Sequence, residues 1–135
     1  MATYESACPY HTKVSKFWDG LRNGILYGTR CKKCGNLTFP PKADCGKCTS
    51  SDIDWIQLNG DGELLTYTVN KVPPQTFVDF PEYIIAIVKL KEGPKLMTWL
   101  TNINAEEVKI GMKLRAESKE TPDGRITYEF KPVKN

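Results

Sequence analysis

The sequence predicts a mainly β protein: an N-terminal helix, a four-cysteine ribbon, then a five-stranded barrel of the OB type. Three observations predict it. Val14, Phe17, Trp18 and Leu21 recur at helical spacing. Cys31, Cys34, Cys45 and Cys48 fall as two close pairs. From Asp54 onward, apolar residues alternate or run together in short stretches divided by turn signals.

Residues 1–12 show no periodicity and contain Pro9, so they read as a tail. The helix follows and stops near Gly24, with Arg22 in its last turn. It is short and marginal alone, so its adjacent aromatics Phe17 and Trp18 need a surface to pack on. Leu26, Tyr27 and Thr29 lead as a strand into the cysteine segment. Trp55, Ile56 and Leu58 precede the turn Asn59-Gly60-Asp61-Gly62. Five main strands come next. Leu65, Tyr67 and Val69 alternate with polar residues, and Tyr83 to Leu90 is almost continuously apolar, as in a strand covered on both faces. Leu96 to Leu100 follows the turn Glu92-Gly93-Pro94. Met112 to Ala116 and Ile126 to Phe130 are joined as a hairpin by Thr121-Pro122-Asp123-Gly124. Between the third and fourth strands, Asn104 with Glu107 marks a capped helical turn closed by Gly111. Five strands with one small helix after the third describe a Greek-key OB barrel. The expected division is 1–24 for tail and amphipathic helix, 25–52 for the ribbon and 53–135 for the OB-fold.

The chain has 135 residues, 40% hydrophobic and 26% charged, which excludes wholesale disorder, collagen and coiled coil. Its net charge of +3 is too mild to announce nucleic acid. The charge is uneven: eight basic and two acidic residues between Lys13 and Lys47 give +6, leaving −3 elsewhere. No apolar run approaches the roughly 20 residues of a membrane span. Met1 to Tyr10 shows no basic patch followed by an apolar stretch, so no secretory leader is expected. Paired cysteines in such a chain point to thiolates in a reducing cytoplasm rather than disulfides.

Cys31-Lys32-Lys33-Cys34-Gly35 and Cys45-Gly46-Lys47-Cys48 are two knuckles separated by ten residues. Two residues between paired cysteines let both sulfurs face one point, and four thiolates then complete a tetrahedron that suits zinc. Gly35 and Gly46 are expected to supply backbone freedom beside the sulfurs. One such zinc is structural, because four cysteines leave no open position for water. Lys32, Lys33, Lys42 and Lys47 are expected to soften the local −2 charge of the four-thiolate zinc.

Cys8 and His11 form a Cys–His pair that could act as an activated nucleophile or add metal ligands. No third residue orients the base, and no phosphate-cradling glycine loop, carboxylate pair or serine motif is visible. No catalytic residue is therefore assigned. Val72 to Glu82 holds Pro73, Pro74 and Pro81 with Phe77 and Phe80 between them. This loop reads equally as a cap folded onto the barrel or as a lip over a ligand or partner groove.

A Phe-Trp helix, a four-cysteine ribbon and an OB barrel, in that order, resemble a family of small proteins. These join a rubredoxin-like zinc ribbon to an acyl-CoA-associated OB-fold and long carried only a domain-of-unknown-function label. The matching stretches are Phe17-Trp18-Asp19-Gly20-Leu21, Arg30 to Gly35, Phe39-Pro40-Pro41, Cys45 to Cys48, Gly60-Asp61-Gly62, Glu92-Gly93-Pro94 and Ile110-Gly111-Met112. The resemblance runs from about Val14 to Val133. It implies zinc at Cys31, Cys34, Cys45 and Cys48. It also implies a non-catalytic cytoplasmic subunit of a thiolase-type acyl-CoA complex. The catalytic cysteine would sit on a thiolase-superfamily partner, and the CoA thioester would be a ligand shared with it. Cleavage or formation of carbon–carbon bonds on 3-oxoacyl-CoA, in acid or aromatic degradation, fits that role. A scaffold bridging acetoacetyl-CoA thiolase and hydroxymethylglutaryl-CoA synthase fits it as well. Phe17, Trp18, Phe77 and Phe80 are the candidate partner or substrate surface. A nucleic-acid-binding ribbon/OB module is the contrasting class, and the −2 charge beyond Lys47 has the wrong sign for it.

Overall fold

Two separate β structures are built, one around the cysteines and one after them. The computed structural model describes residues 13–72, 74–75, 82–121 and 124–133. Cys8, His11, Phe77, Phe80 and the hairpin residues Pro122 and Asp123 lie outside these described residues.

Helix α1 spans Ser15–Arg22. It ends as expected at Gly24, whose φ of +74° suits a residue without Cβ. Strands β1 (Leu26–Cys31), β2 (Leu37–Thr38) and β3 (Ile53–Leu58) form an antiparallel sheet in the order β2-β1-β3. The β1–β3 register runs from Leu26 opposite Leu58 to Cys31 opposite Ile53. Asn59 and Gly60 then carry the chain directly into the barrel.

The barrel comprises β4 (Asp61–Asn70), β5 (Tyr83–Leu90), β6 (Lys95–Leu100), β7 (Lys113–Glu120) and β8 (Ile126–Pro132). It closes in the order β4-β5-β6-β8-β7, with β6 and β8 parallel and meeting at Leu100 and Phe130. A short 3-10 turn, Ala105–Glu107, follows the third barrel strand, and the Asn104 N–H donates to Glu107 Oε2 at 3.4 Å. Leu64, Ala86, Val88, Leu114 and Phe130 fill the interior and are inaccessible to solvent.

The alternation along β4 changes phase. Gly62 and Leu64 face inward, and then a bulge shifts the register between Leu64 and Thr66. Tyr67 and Val69 face inward beyond it, opposite Ala86 and Ile84. One extra residue in one strand reverses which parity faces the core. Gly62 is confined to glycine by proximity: a Cβ there would lie 2.6 Å from Val88 Cγ1.

Along β5, Ile84, Ala86, Val88 and Leu90 are buried while Ile85 and Ile87 are half-buried. The inner face is covered as expected. Over the outer face the cover is only partial.

Helix α1 joins the two β structures. Phe17 is buried and meets the rings of Phe39 and Tyr128 edge to face, each at 5.9 Å between centroids. Phe39 follows β2 and Tyr128 lies on β8, so one side chain touches both structures. Gly20 lets the Tyr27 ring of β1 lie against the helix, because a Cβ at Gly20 would stand 2.5 Å from Tyr27 Cδ2. Among the described residues, no helix is long and apolar enough to cross a membrane.

Candidate metal centre and surrounding surfaces

Each cysteine pair sits in a backbone loop that turns about its first sulfur. In the first, the Cys34 N–H donates to Cys31 Sγ at 3.5 Å and the Gly35 N–H to the Cys31 carbonyl at 2.9 Å. In the second, the Lys47 and Cys48 N–H groups donate to Cys45 Sγ at 3.4 and 3.5 Å, and the Thr49 N–H to the Cys45 carbonyl at 2.9 Å. The loops are near copies, with Gly35 and Thr49 in equivalent left-handed positions at φ +76° and +64°. The expectation for Gly46 is thereby corrected. Its φ is not positive, and the unusual conformation of the second loop falls on Thr49.

The four sulfurs all lie within 4.8 Å of one another. Cys31 and Cys48 are 3.5 Å apart, as are Cys34 and Cys45. A disulfide needs about 2.05 Å, so these are thiols held apart. A tetrahedron with zinc–sulfur bonds of about 2.3 Å has sulfur–sulfur edges of about 3.8 Å, within the observed spread. The donor set therefore fits a tetrahedral, thiophilic cation.

Electrostatics point the same way. Hydrogen bonds from the Cys48 and Lys47 N–H groups bring the Cys45 thiol down to about 6. The Cys34 N–H lowers Cys31 likewise. At Cys48 the Ser50 N–H favours the thiolate, but hydrogen bonding with Cys31 and burial outweigh it and push the thiol up to about 11. Four thiols this close compete for negative charge, and a divalent cation removes that conflict.

Lys32 departs from its expected role. Its ammonium is engaged by Asp54 at 3.4 Å and Asp52 at 3.5 Å, which raise its pKa. Lys33, Lys42 and Lys47 make no ion pair among the described residues.

The candidate surface residues separate. Phe17 lies inside the molecule, whereas Trp18 is half-buried at its rim, edge-on to Phe17 at 5.0 Å. A cleft of about 330 Å³ opens where α1 and β3 meet β7, lined by Leu21, Ile25, Leu58, Asn59, Arg115 and Ser118. Nothing in the sequence pattern marks this cleft, because its walls come from three distant segments.

Comparison with known proteins agrees with this architecture. A model described as "ChsH2, rubredoxin-like zinc ribbon domain" matches residues 18–54, and "ChsH2, C-terminal OB-fold domain" matches residues 55–119. A DUF35 domain-containing scaffold protein of Methanocaldococcus jannaschii is 38% identical over 117 residues, covering 82% of this chain and 83% of the relative. A probable enoyl-CoA hydratase alpha subunit of Thermomonospora curvata is 33% identical over 93% of this chain, which spans 39% of that protein. Benzoylsuccinyl-CoA thiolase subunit BbsA of Thauera aromatica is 31% identical over 54% of this chain and 56% of its own length. The solved structure of an Ltp2-ChsH2(DUF35) aldolase superposes with a TM-score of 0.76 at 28% identity, over 92% of this chain and 98% of that one.

Proposed function

This chain belongs to the family of DUF35 domain-containing scaffold proteins, and on that premise we propose that it is a non-catalytic accessory subunit of a thiolase-type acyl-CoA enzyme. One observation carries the reading: relatives across most of this chain are named as subunits of enzymes acting on CoA thioesters or as scaffolds. One zinc at Cys31, Cys34, Cys45 and Cys48 is structural, since four thiolates leave no site for substrate. Its role is to fix the ribbon, and through β3 and the Asn59–Gly60 joint to hold the barrel at a set angle to it. The partner supplies the nucleophilic cysteine for breaking or making a carbon–carbon bond on a 3-oxoacyl-CoA. The cleft beside α1 is at the lower end of ligand-pocket volumes, about 300–1,000 Å³. That supports a CoA thioester held jointly with the partner rather than by this chain alone.

The test combines metal content, isolation and turnover. The chain purified from its native host should carry about one zinc and bring with it a thiolase-superfamily protein identified by mass spectrometry. Cys34→Ser should release the metal and unfold the ribbon, because metal-binding energy is folding energy. The isolated chain should not cleave a 3-oxoacyl-CoA. Turnover by the isolated chain that Cys8→Ala abolishes, or co-purification of nucleic acid in place of an enzyme, would overturn the reading.

A further inference from the structure

The two outer walls of the barrel are built on different principles. On the β7–β8 wall, almost every charge has its opposite. Arg115 pairs with Asp61 at 3.5 Å, Lys113 with Glu63 at 3.0 Å, Lys131 with Glu117 at 2.9 Å, and Lys119 with Glu129 at 3.4 Å. That wall is electrostatically complete by itself and suits contact with water.

The β5–β6 wall is not. Outward-facing Ile87 lies opposite Met97, and Ile85 opposite Trp99. Met97 is 67% exposed. At the turn end of this wall Lys89 and Lys95 stand directly opposite each other, and the exposed Lys91 opens the turn that joins their strands. Like charges in register across two strands oppose folding. The acids within reach are engaged elsewhere: Glu63, opposite Lys89 in β4, pairs with Lys113, and Glu92 accepts the Asn59 N–H at 3.2 Å. None of the three lysines has an ion-pair partner among the described residues.

We infer that the outer wall of β5–β6 is the face that docks the catalytic partner, through a partner surface apolar at its centre and carrying carboxylates opposite Lys89, Lys91 and Lys95. The inference rests on the accessory-subunit reading and names the surface that reading leaves open. An apolar centre with charges at one end has the layout of a protein interface. The wall is the outside of a closed barrel and therefore convex, whereas small-ligand sites are concave. Partner carboxylates facing the lysines add to the limited relief that Glu63 and Glu92 give the Lys89–Lys95 pair, and they fix orientation and speed encounter.

The experiment uses the complex purified from the native host. Lysine acetylation by acetic anhydride is followed by mass spectrometry, with and without the partner. Lys89, Lys91 and Lys95 should be acetylated several-fold more slowly in the complex, while Lys33 and Lys47 keep their rates. Met97→Asp and Lys95→Glu should each weaken the reconstituted complex about tenfold or more, with zinc content and melting temperature unchanged. Lys109→Glu, on another surface, should not. An intact complex with Lys89 and Lys95 as reactive as in the free chain overturns this face and leaves the accessory-subunit reading standing. Recovery of no partner overturns both. Protection in the isolated chain with a doubled mass assigns the face to a second copy, and protection by phosphatidylserine vesicles alone assigns it to a membrane. Either result overturns the inference.

Discussion

Replacing Phe17 tests whether α1 is a structural part of the molecule or an appendage. The side chain is 3% exposed, with ring partners from the ribbon side, Phe39, and from the barrel, Tyr128. Phe17→Ala in such a site should cost about 3–5 kcal/mol, combining lost transfer energy with the cavity left behind. The two edge-to-face pairs account for about 1–3 kcal/mol of this, at about 0.5–1.5 each. Phe17→Leu restores much of the volume but not the ring geometry, so it should lose about 1–3 kcal/mol. Urea unfolding followed by tryptophan fluorescence and extrapolated to water gives both values. A double-mutant cycle of Phe17→Leu with Tyr128→Leu should return a coupling of about 0.5–1.5 kcal/mol. A Phe17→Ala loss under about 1 kcal/mol, or a coupling near zero, would mean that the helix is not clasped between ribbon and barrel.

Tyr128 gives the same junction an alkaline limit. Burial pushes its phenol up to about 12, above the ordinary value near 10. The unfolded chain therefore releases this proton first. Its contribution to stability is complete below about pH 10 and lost between about pH 10 and 12. Tyr128→Phe should lose about 2–3 kcal/mol less than the parent across that window, read as urea midpoints at the two ends; identical midpoint shifts would refute it. Gly20→Ala sets helix propensity against packing. Alanine favours a helix by about 1 kcal/mol, yet a Cβ at Gly20 meets Tyr27 Cδ2 at 2.5 Å and the Ile25 carbonyl at 3.0 Å. The melting temperature should fall, and a rise would show that Tyr27 moves aside freely.

The four-cysteine cluster was legible because its chemistry is local: two residues between cysteines dictate the loop, and two such loops dictate the cluster. The five barrel strands were legible because each is bounded by a turn residue that the backbone needs, such as Gly93 at φ +119° or Gly111 at φ +86°. Alternation places Leu65 on one face with Tyr67 and Val69, but a bulge changes the parity of β4 and turns Leu64 inward instead, and no residue type announces a bulge there. The destination of Phe17 was not readable either. Helical spacing gives the face it lies on, but Phe39 and Tyr128 reach it through pairings remote in sequence. The outer wall of β5 illustrates the opposite limit. Its continuous apolar run correctly forecast the buried inner face but not the half-covered outer one, since period alone does not say what lies beyond the chain. Thr49 shows that a left-handed position need not carry glycine when two backbone hydrogen bonds hold the loop.

The contact between α1 and β8 also sets an order of events during synthesis. Phe17 leaves the ribosome more than a hundred residues before Tyr128, the ring it closes upon. At about 5–20 residues per second that interval is on the order of 5–20 s. An eight-residue helix does not persist alone for such a time. Phe39 and β1 are made early and cover one side of Phe17, but the side that meets Tyr128 stays open until β8 is made. A chain stopped before β8 therefore leaves the rings of Phe17 and Phe39 without the Tyr128 cover that the finished molecule gives them.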